Sequence, residues 1–324
     1  MLQIIFHIPF LNLPVYGYGL MLVLAFLACM HVSKRMAGQI GIDGEVFINA
    51  TLIALVTGVA GSRLSHVLEN WSEYSNPART FAENFLDAVN IRSGGLTFYG
   101  GLFLATPCCL AYMIKKGLPI KKSIDIAAVC VMIGLGIGRI GCYLNGCCYG
   151  EICRPTYGAA LTEFPYYSNP YIDQFHQGLL NPPPELVNMS ITGAQTLKNP
   201  DQVKAENLTE LASQQHSLPV QPTQLYSAFT ALLLAILLWS YWTMPHLDGR
   251  VFALMMILEG PARFLLEMIR VEPAVLTGKF AGIPVSMSLS MVLGMTVFVA
   301  GLVMWPALGL GKTLRNDGFI VAAH

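Results

Sequence analysis

Charge is scarce in this sequence. Of 324 residues only 12% are Asp, Glu, Lys or Arg, while 54% are hydrophobic. Soluble domains carry about 25% charged residues, so this chain has too few to cover a water-facing surface. The shortage excludes an ordinary soluble globule and leaves a polytopic membrane protein. Net charge is zero, so no basic excess is present to attract nucleic acid. Nor does any basic residue precede the first apolar run, whereas a secretory leader needs a basic n-region. Leu27-Ala28-Cys29 imitates a lipoprotein cleavage box, but Phe26 stands before it. The first run therefore reads as a retained helix. Internal repeats are absent as well.

Long apolar runs are abundant. A spanning helix needs roughly 20 mostly apolar residues. About seven runs qualify: Tyr16–His31, Phe47–Gly61, Leu96–Ile114, Ile124–Gly141, Thr223–Trp242, Val251–Ile269 and Val285–Met304. The second extends to His66 and carries Arg63 with it. The expected fold is all-α and polytopic, with about seven transmembrane helices. Lys and Arg in short loops favour the cytoplasm. Lys34, Arg35, Lys115, Lys116, Lys121, Lys122, Arg250, Lys312 and Arg315 all fall on one side of a seven-helix chain. The N-terminus is then extracytoplasmic and the C-terminus cytoplasmic. The segment Glu151–Gln221, rich in Pro, Asn, Gln and Ser, is too polar to span. It is also longer than structureless loops usually are, so a small extracytoplasmic head is expected there. The chain divides into 1–150 (helices one to four), 151–221 (the head) and 222–324 (helices five to seven and a cytoplasmic tail).

Within this apolar background two arginines stand out. Arg139 lies in Gly138-Arg139-Ile140-Gly141, at the end of the fourth run. Arg263 lies in the sixth, where Glu259, Arg263, Glu267 and Arg270 are spaced by four, four and three residues. Such residues share one helix face, and a charged stripe in a membrane helix faces the bundle interior. It forms either an internal ion-pair ladder or a polar cavity bordered by arginines. A lone arginine at a helix end can instead snorkel to the interface. Two arginines in so greasy a chain suggest an anionic lipid headgroup as ligand.

Other segments are ambiguous alone. Glycines flank Tyr99 in Gly94-Gly95-Leu96-Thr97-Phe98-Tyr99-Gly100-Gly101, and glycine lets a ligand or backbone approach closely. Tyr18, Tyr99 and Tyr226 serve equally well as interfacial belt residues. Of eight cysteines, four cluster as Cys142-x4-Cys147-Cys148-x4-Cys153. This spacing does not follow the structural-zinc pattern of separated C-x2–4-C pairs, and no metal or other cofactor is assigned from it. Free thiols, a disulfide and a metal site all remain open.

Taken together these segments resemble the prolipoprotein diacylglyceryl transferase family, in a cysteine-rich variant of its signature. The resemblance runs from Tyr18 to about Pro273. It includes Tyr18-Gly19-Leu20-Met21, Arg63, the Gly94–Gly101 segment, the signature Gly138–Gly150, Pro222-Thr223-Gln224-Leu225-Tyr226, and Arg263 through Glu267 to Arg270. It implies a seven-helix body with an extracytoplasmic head in the bacterial cytoplasmic (inner) membrane. It also implies transfer of diacylglycerol from phosphatidylglycerol to the lipobox cysteine of a prolipoprotein signal peptide. A thioether forms and glycerol phosphate leaves. The partners expected are thus phosphatidylglycerol, prolipoprotein signal peptides and membrane lipid, without nucleic acid.

Arg139 and Arg263 are expected to hold the phosphate, with Tyr99 orienting a reacting group. Arg63 or Arg270 would position the headgroup, and Asn145 would bind glycerol hydroxyls. Tyr18, Tyr226, Glu267, Gly100 and Gly150 complete the expected substrate-binding set. The family often has histidine where this chain has Tyr99, asparagine at Cys142, glutamate at Cys147 and a carboxylate at Ser227. The nucleophile belongs to the substrate, so this reading gives the chain's own cysteines no chemical step. An alternative is a phospholipid-binding or transport protein of the same fold without thiol transfer.

Overall fold

A computed structural model describes residues 4–8, 13–75, 80–90, 97–152, 162–189, 195–270, 276–280 and 283–309. The helices among them are α1 (Gly17–Gln39), α2 (Gly44–Glu69), α3 (Trp71–Tyr74), α4 (Phe81–Val89), α5 (Phe98–Lys115), α6 (Ile120–Asn145), α7 (Asn169–His176), α8 (Pro200–Ala205), α9 (Thr209–Ser213), α10 (Thr223–Trp242), α11 (Arg250–Glu267) and α12 (Leu289–Ala307). Five of them, α1, α2, α6, α10 and α12, are long and apolar enough to cross a membrane. Helices α5 and α11 reach 18 residues. The sequence anticipates an all-α membrane body, but three antiparallel two-stranded hairpins are also present among the described residues. They pair β1 (Ile4–Ile8) with β2 (Leu13–Tyr16), β3 (Val187–Met189) with β4 (Gln195–Leu197), and β5 (Leu276–Phe280) with β6 (Ile283–Met287). The first hairpin precedes α1, the second lies in the polar segment between α7 and α8, and the third connects α11 to α12.

The surface is more apolar than that of a soluble protein. Large apolar side chains point outward, with Phe103 78% and Phe229 71% exposed. Polar groups sit inside: Asp125, Gln224, Glu267 and Arg63 are buried. Soluble monomers rarely leave such extended apolar patches uncovered, whereas lipid accommodates them. The core centres on α6. Ile126, Val129 and Met132 pack with Met36 of α1, Phe47 of α2, Leu238 and Trp242 of α10, and Val251 of α11.

Close helix contacts depend on glycine at a few positions. A Cβ on Gly100 would lie 2.5 Å from the Gly61 carbonyl, and one on Gly260 would lie 2.6 Å from the Gly294 carbonyl. Small residues let membrane helices approach in this way, joining α2 to α5 and α11 to α12. Beyond α6, the described part of 162–221 has its own apolar cluster of Leu186, Val203 and Ala212, covered by Tyr166, Leu208 and Leu211.

Candidate functional site

The site is built around the end of α6. The apolar run suggested an arginine at the helix terminus, but α6 continues to Asn145, so Arg139 stands more than a turn inside it. Gly146 then adopts the left-handed conformation (φ 71°). Its N–H donates to the Tyr143 carbonyl at 3.2 Å, and the Cys147 N–H donates to the Cys142 carbonyl at 3.1 Å. These two bonds form a Schellman motif, which places the residue after the glycine over the last helical turn. Hence the x4 spacing brings Cys147 back onto Cys142. Cys148 follows with φ 60°, a conformation that costs a non-glycine residue roughly 1–2 kcal/mol.

The first turn of α10 fixes this strained turn. Thr223 Oγ1 donates to the Cys148 carbonyl at 2.8 Å, and Gln224 Nε2 donates to the Cys147 carbonyl at 2.7 Å. Gly150 continues the same backbone. Its N–H donates to the Gln221 carbonyl at 2.9 Å, and Glu151 N–H donates to the Ile269 carbonyl at 3.2 Å. An added Cβ at Gly150 would meet Thr223 Cγ2 at 2.7 Å and the Ile269 oxygen at 2.8 Å. Gly150 therefore lets three chain segments close together behind the site. Tyr149 donates to Asp173 of α7 at 2.5 Å. Burial, and then this bond to a carboxylate, push the Tyr149 phenol above its ordinary range.

Arg139 is half-buried, and among the described residues it makes no hydrogen bond or ion pair. It lies within electrostatic reach of Tyr18 on α1, Glu259 on α11 and Cys148. Helix α11 supplies the other charges on one face. Glu267, 4% exposed, lies 3.7 Å from Arg263 Nε and 3.2 Å from Arg270 Nη1. Arg263 Nη2 also donates to Ser290 Oγ on α12 at 3.2 Å. Glu267 thus holds two guanidinium groups in fixed orientation.

The three cysteine thiols lie within 4.8 Å of one another, and each is half-buried. They are free, as are all the described cysteines. Cys147 Sγ donates to the Cys142 carbonyl at 3.7 Å, and the charges of Arg270 and Arg139 lie within electrostatic reach of Cys148. Asn145 is within hydrogen-bonding reach of Cys147 and borders a cavity of about 120 Å3 lined also by Phe164 and Tyr166.

Not every expected site residue is found here. Arg63 is directed at the C-terminal end of α4. Its Nε donates to the Ala88 carbonyl and its Nη2 to the Asp87 carbonyl, each at 2.7 Å, and its guanidinium stacks 5.2 Å from the Tyr74 ring centre. Helix ends leave carbonyls unsatisfied, and Arg63 satisfies two of them. Gly100 lies in the α2–α5 contact. Tyr99 belongs to the first turn of α5, and its side chain lies outside the described residues, as do Gly94, Gly95 and Cys153. Tyr226 is half-buried near the start of α10. Sequence reasoning passed over Thr223 and Gln224 as site-forming residues, although a buried glutamine in a membrane helix is a legible signal.

The chain matches a known family. The model of the prolipoprotein diacylglyceryl transferase family covers residues 3–306. This chain belongs to that family. Its similar relatives carry the name phosphatidylglycerol–prolipoprotein diacylglyceryl transferase. One from Clostridium tetani is 23% identical over 265 residues, covering 81% of this chain and 83% of that protein. One from Corynebacterium glutamicum is 26% identical over 269 residues, 82% of this chain and 72% of that protein. One from Rhodopirellula baltica is 29% identical over 169 residues, 52% of this chain and 34% of that protein. The chain is accordingly a multi-pass membrane transferase of lipoprotein biosynthesis.

Proposed function

We propose that this chain transfers the diacylglyceryl group of phosphatidylglycerol to the lipobox cysteine of prolipoproteins. The observation that carries the site assignment is Arg139, a half-buried guanidinium without a hydrogen bond or ion pair among the described residues, within electrostatic reach of Tyr18, Glu259 and Cys148. An arginine kept inside a membrane bundle pairs with something negative, and a phosphate diester is the negative group this reaction brings. Arg263 of α11 and Arg270 just beyond it, both held by Glu267, face the same region.

The reaction is a substitution at the glyceryl carbon bonded to phosphate oxygen. The thiolate sulfur forms a bond to carbon as the carbon–oxygen bond breaks, and glycerol phosphate departs. Charge builds on the leaving phosphate, so guanidinium hydrogen bonds strengthen toward the transition state. Arg139 and Arg263 bind that phosphate, and Arg270 orients the headgroup. Asn145 binds glycerol hydroxyls, and Tyr18 and Tyr226 border the lipid path. Tyr99 orients a reacting group by hydrogen bonding. In this reading seven helices span the bacterial inner membrane, and the segment 151–221 forms an extracytoplasmic head over the substrate entrance. The N-terminus is outside and the C-terminus inside.

The decisive experiment supplies phosphatidylglycerol and a lipobox peptide to the purified protein in detergent and measures glycerol phosphate release. A lipid-binding or transport protein of the same fold would bind the lipid and release none.

A further inference from the structure

We infer that Cys142, Cys147 and Cys148 form a zinc site whose open position binds the substrate thiol. The inference rests on the transferase reading and adds the means by which the nucleophile is activated. Three sulfur atoms within 4.8 Å of one another are close to the arrangement a metal needs. Thiolates about 2.3 Å from a tetrahedral zinc lie about 3.8 Å apart, so sub-ångström side-chain adjustments complete the geometry. The backbone already supplies the convergence. The Schellman turn sets Cys147 over Cys142, the positive φ of Cys148 turns its side chain toward both, and Thr223 and Gln224 hold the two carbonyls in place. Sulfur-only ligation favours zinc or cuprous copper over harder cations. Three thiolates on a divalent ion leave an anionic centre, and Arg139 and Arg270 lie close enough to balance it.

Three protein ligands among the described residues leave tetrahedral zinc with one vacant position, the pattern of catalytic rather than structural sites. A thiol that coordinates zinc is deprotonated outright. The substrate of this reaction is a thiol that must become a thiolate, and Tyr99, with a reference pKa near 10, is a poor base for it. Zinc removes the need for one. The lipobox sulfur loses its proton on coordination and attacks the glyceryl carbon. The sulfur–carbon bond forms as the carbon–oxygen bond to phosphate breaks. The bonding pair leaves with that oxygen, and the thiol proton finishes on the departing glycerol phosphate. The signature turn thus joins the thiolate to the phosphate-binding arginines. The spacing of the cysteines alone called for no metal; the Schellman turn provides the missing proximity.

Metal content is the first test, since it needs neither lipid nor turnover. Protein purified without chelator should hold a single zinc ion per chain by elemental analysis, and Cys142→Ser and Cys148→Ser should lose it. Cobalt substituted for zinc reports the coordination sphere by its visible ligand-field absorption. A lipobox peptide should change that spectrum, and the same peptide with serine in place of cysteine should not. Cys153→Ser should retain both signals. Chelation should abolish glycerol phosphate release, and zinc alone should restore it. Several results would overturn the inference: no bound metal, copper without zinc, a disulfide among the three residues, a cobalt spectrum indifferent to the cysteine peptide, or loss of that response in Cys153→Ser. Zinc and a peptide response without glycerol phosphate release would support the site and count against the transferase reading instead.

Discussion

Arg139 and Arg263 share a charge but differ in how it is held. Arg263 is tied to Glu267 and Ser290, whereas Arg139 has no such partner among the described residues. Lysine in either place keeps the charge but loses the planar fork that can grip two phosphate oxygens. Arg139→Lys and Arg263→Lys should each lower glycerol phosphate release by roughly 10–100-fold at normal protein level and membrane insertion. Near-normal release from both would return these residues to simple snorkelling. Arg63 gives the opposite expectation. Its guanidinium caps α4, so Arg63→Lys should lower the melting temperature in detergent more than it lowers turnover of the surviving folded protein. A loss of turnover without a change in melting would restore Arg63 to the headgroup.

At the scale of elements, one buried carboxylate joins two helices. Asp125, fully buried in the first turns of α6, accepts from Gly249 N–H at 2.6 Å and Phe252 N–H at 2.8 Å. Those are orphan donors at the start of α11, the helix that carries Arg263 and Glu267. Unpaired buried N–H groups are costly, so Asp125→Ala should destabilise by roughly 1–3 kcal/mol, read as a lower thermal midpoint in detergent. Asp125→Asn should lose less, because an amide oxygen still accepts. Equal midpoints for wild type and Asp125→Ala would show that this cap is dispensable. The α11–α12 contact is similarly localised. A methyl at Gly260 would sit 2.6 Å from the Gly294 carbonyl and 2.8 Å from Phe298 Cβ, whereas one at Gly38 meets nothing within 4 Å. Gly260→Ala should therefore force α12 away, dislodge Ser290 from Arg263 and reduce both stability and turnover. Gly38→Ala should be close to neutral, and comparable losses from the two would undo the packing argument.

At the scale of the whole molecule, the prediction concerns sidedness. The clustering of Lys and Arg in alternate short connections sets orientation during insertion. Reporter fusions after Lys122 and after Asn181 should fall on opposite sides of the membrane, the first cytoplasmic. Both on one side would refute the seven-span arrangement. The same view explains the exposed apolar surface. With lipid outside, large apolar side chains such as Phe103 and Phe229 are at home there.

The apolar runs by themselves determined where the long helices lie. In lipid every backbone polar group must be satisfied internally, so a run of sufficient length has one available form. The i, i+4 spacing of Glu259, Arg263 and Glu267 likewise dictated a shared charged face, since helix geometry is local. Tertiary structure decided which helices meet. These helices are apolar almost all round, and without water between them no hydrophobic stripe marks the partner. Pairing depends on how closely particular glycines allow backbones to approach, as at Gly100 with Gly61 and Gly260 with Gly294. It also decided that Arg63 caps a short helix, that Asp125 reaches the start of α11, and that three cysteines converge. Cys142 and Cys147 were a legible pair once Gly146 was seen as a helix-ending residue. Cys148 was not, because its turn is held by Thr223 and Gln224, remote in sequence and brought there by the packing of α10 on α6.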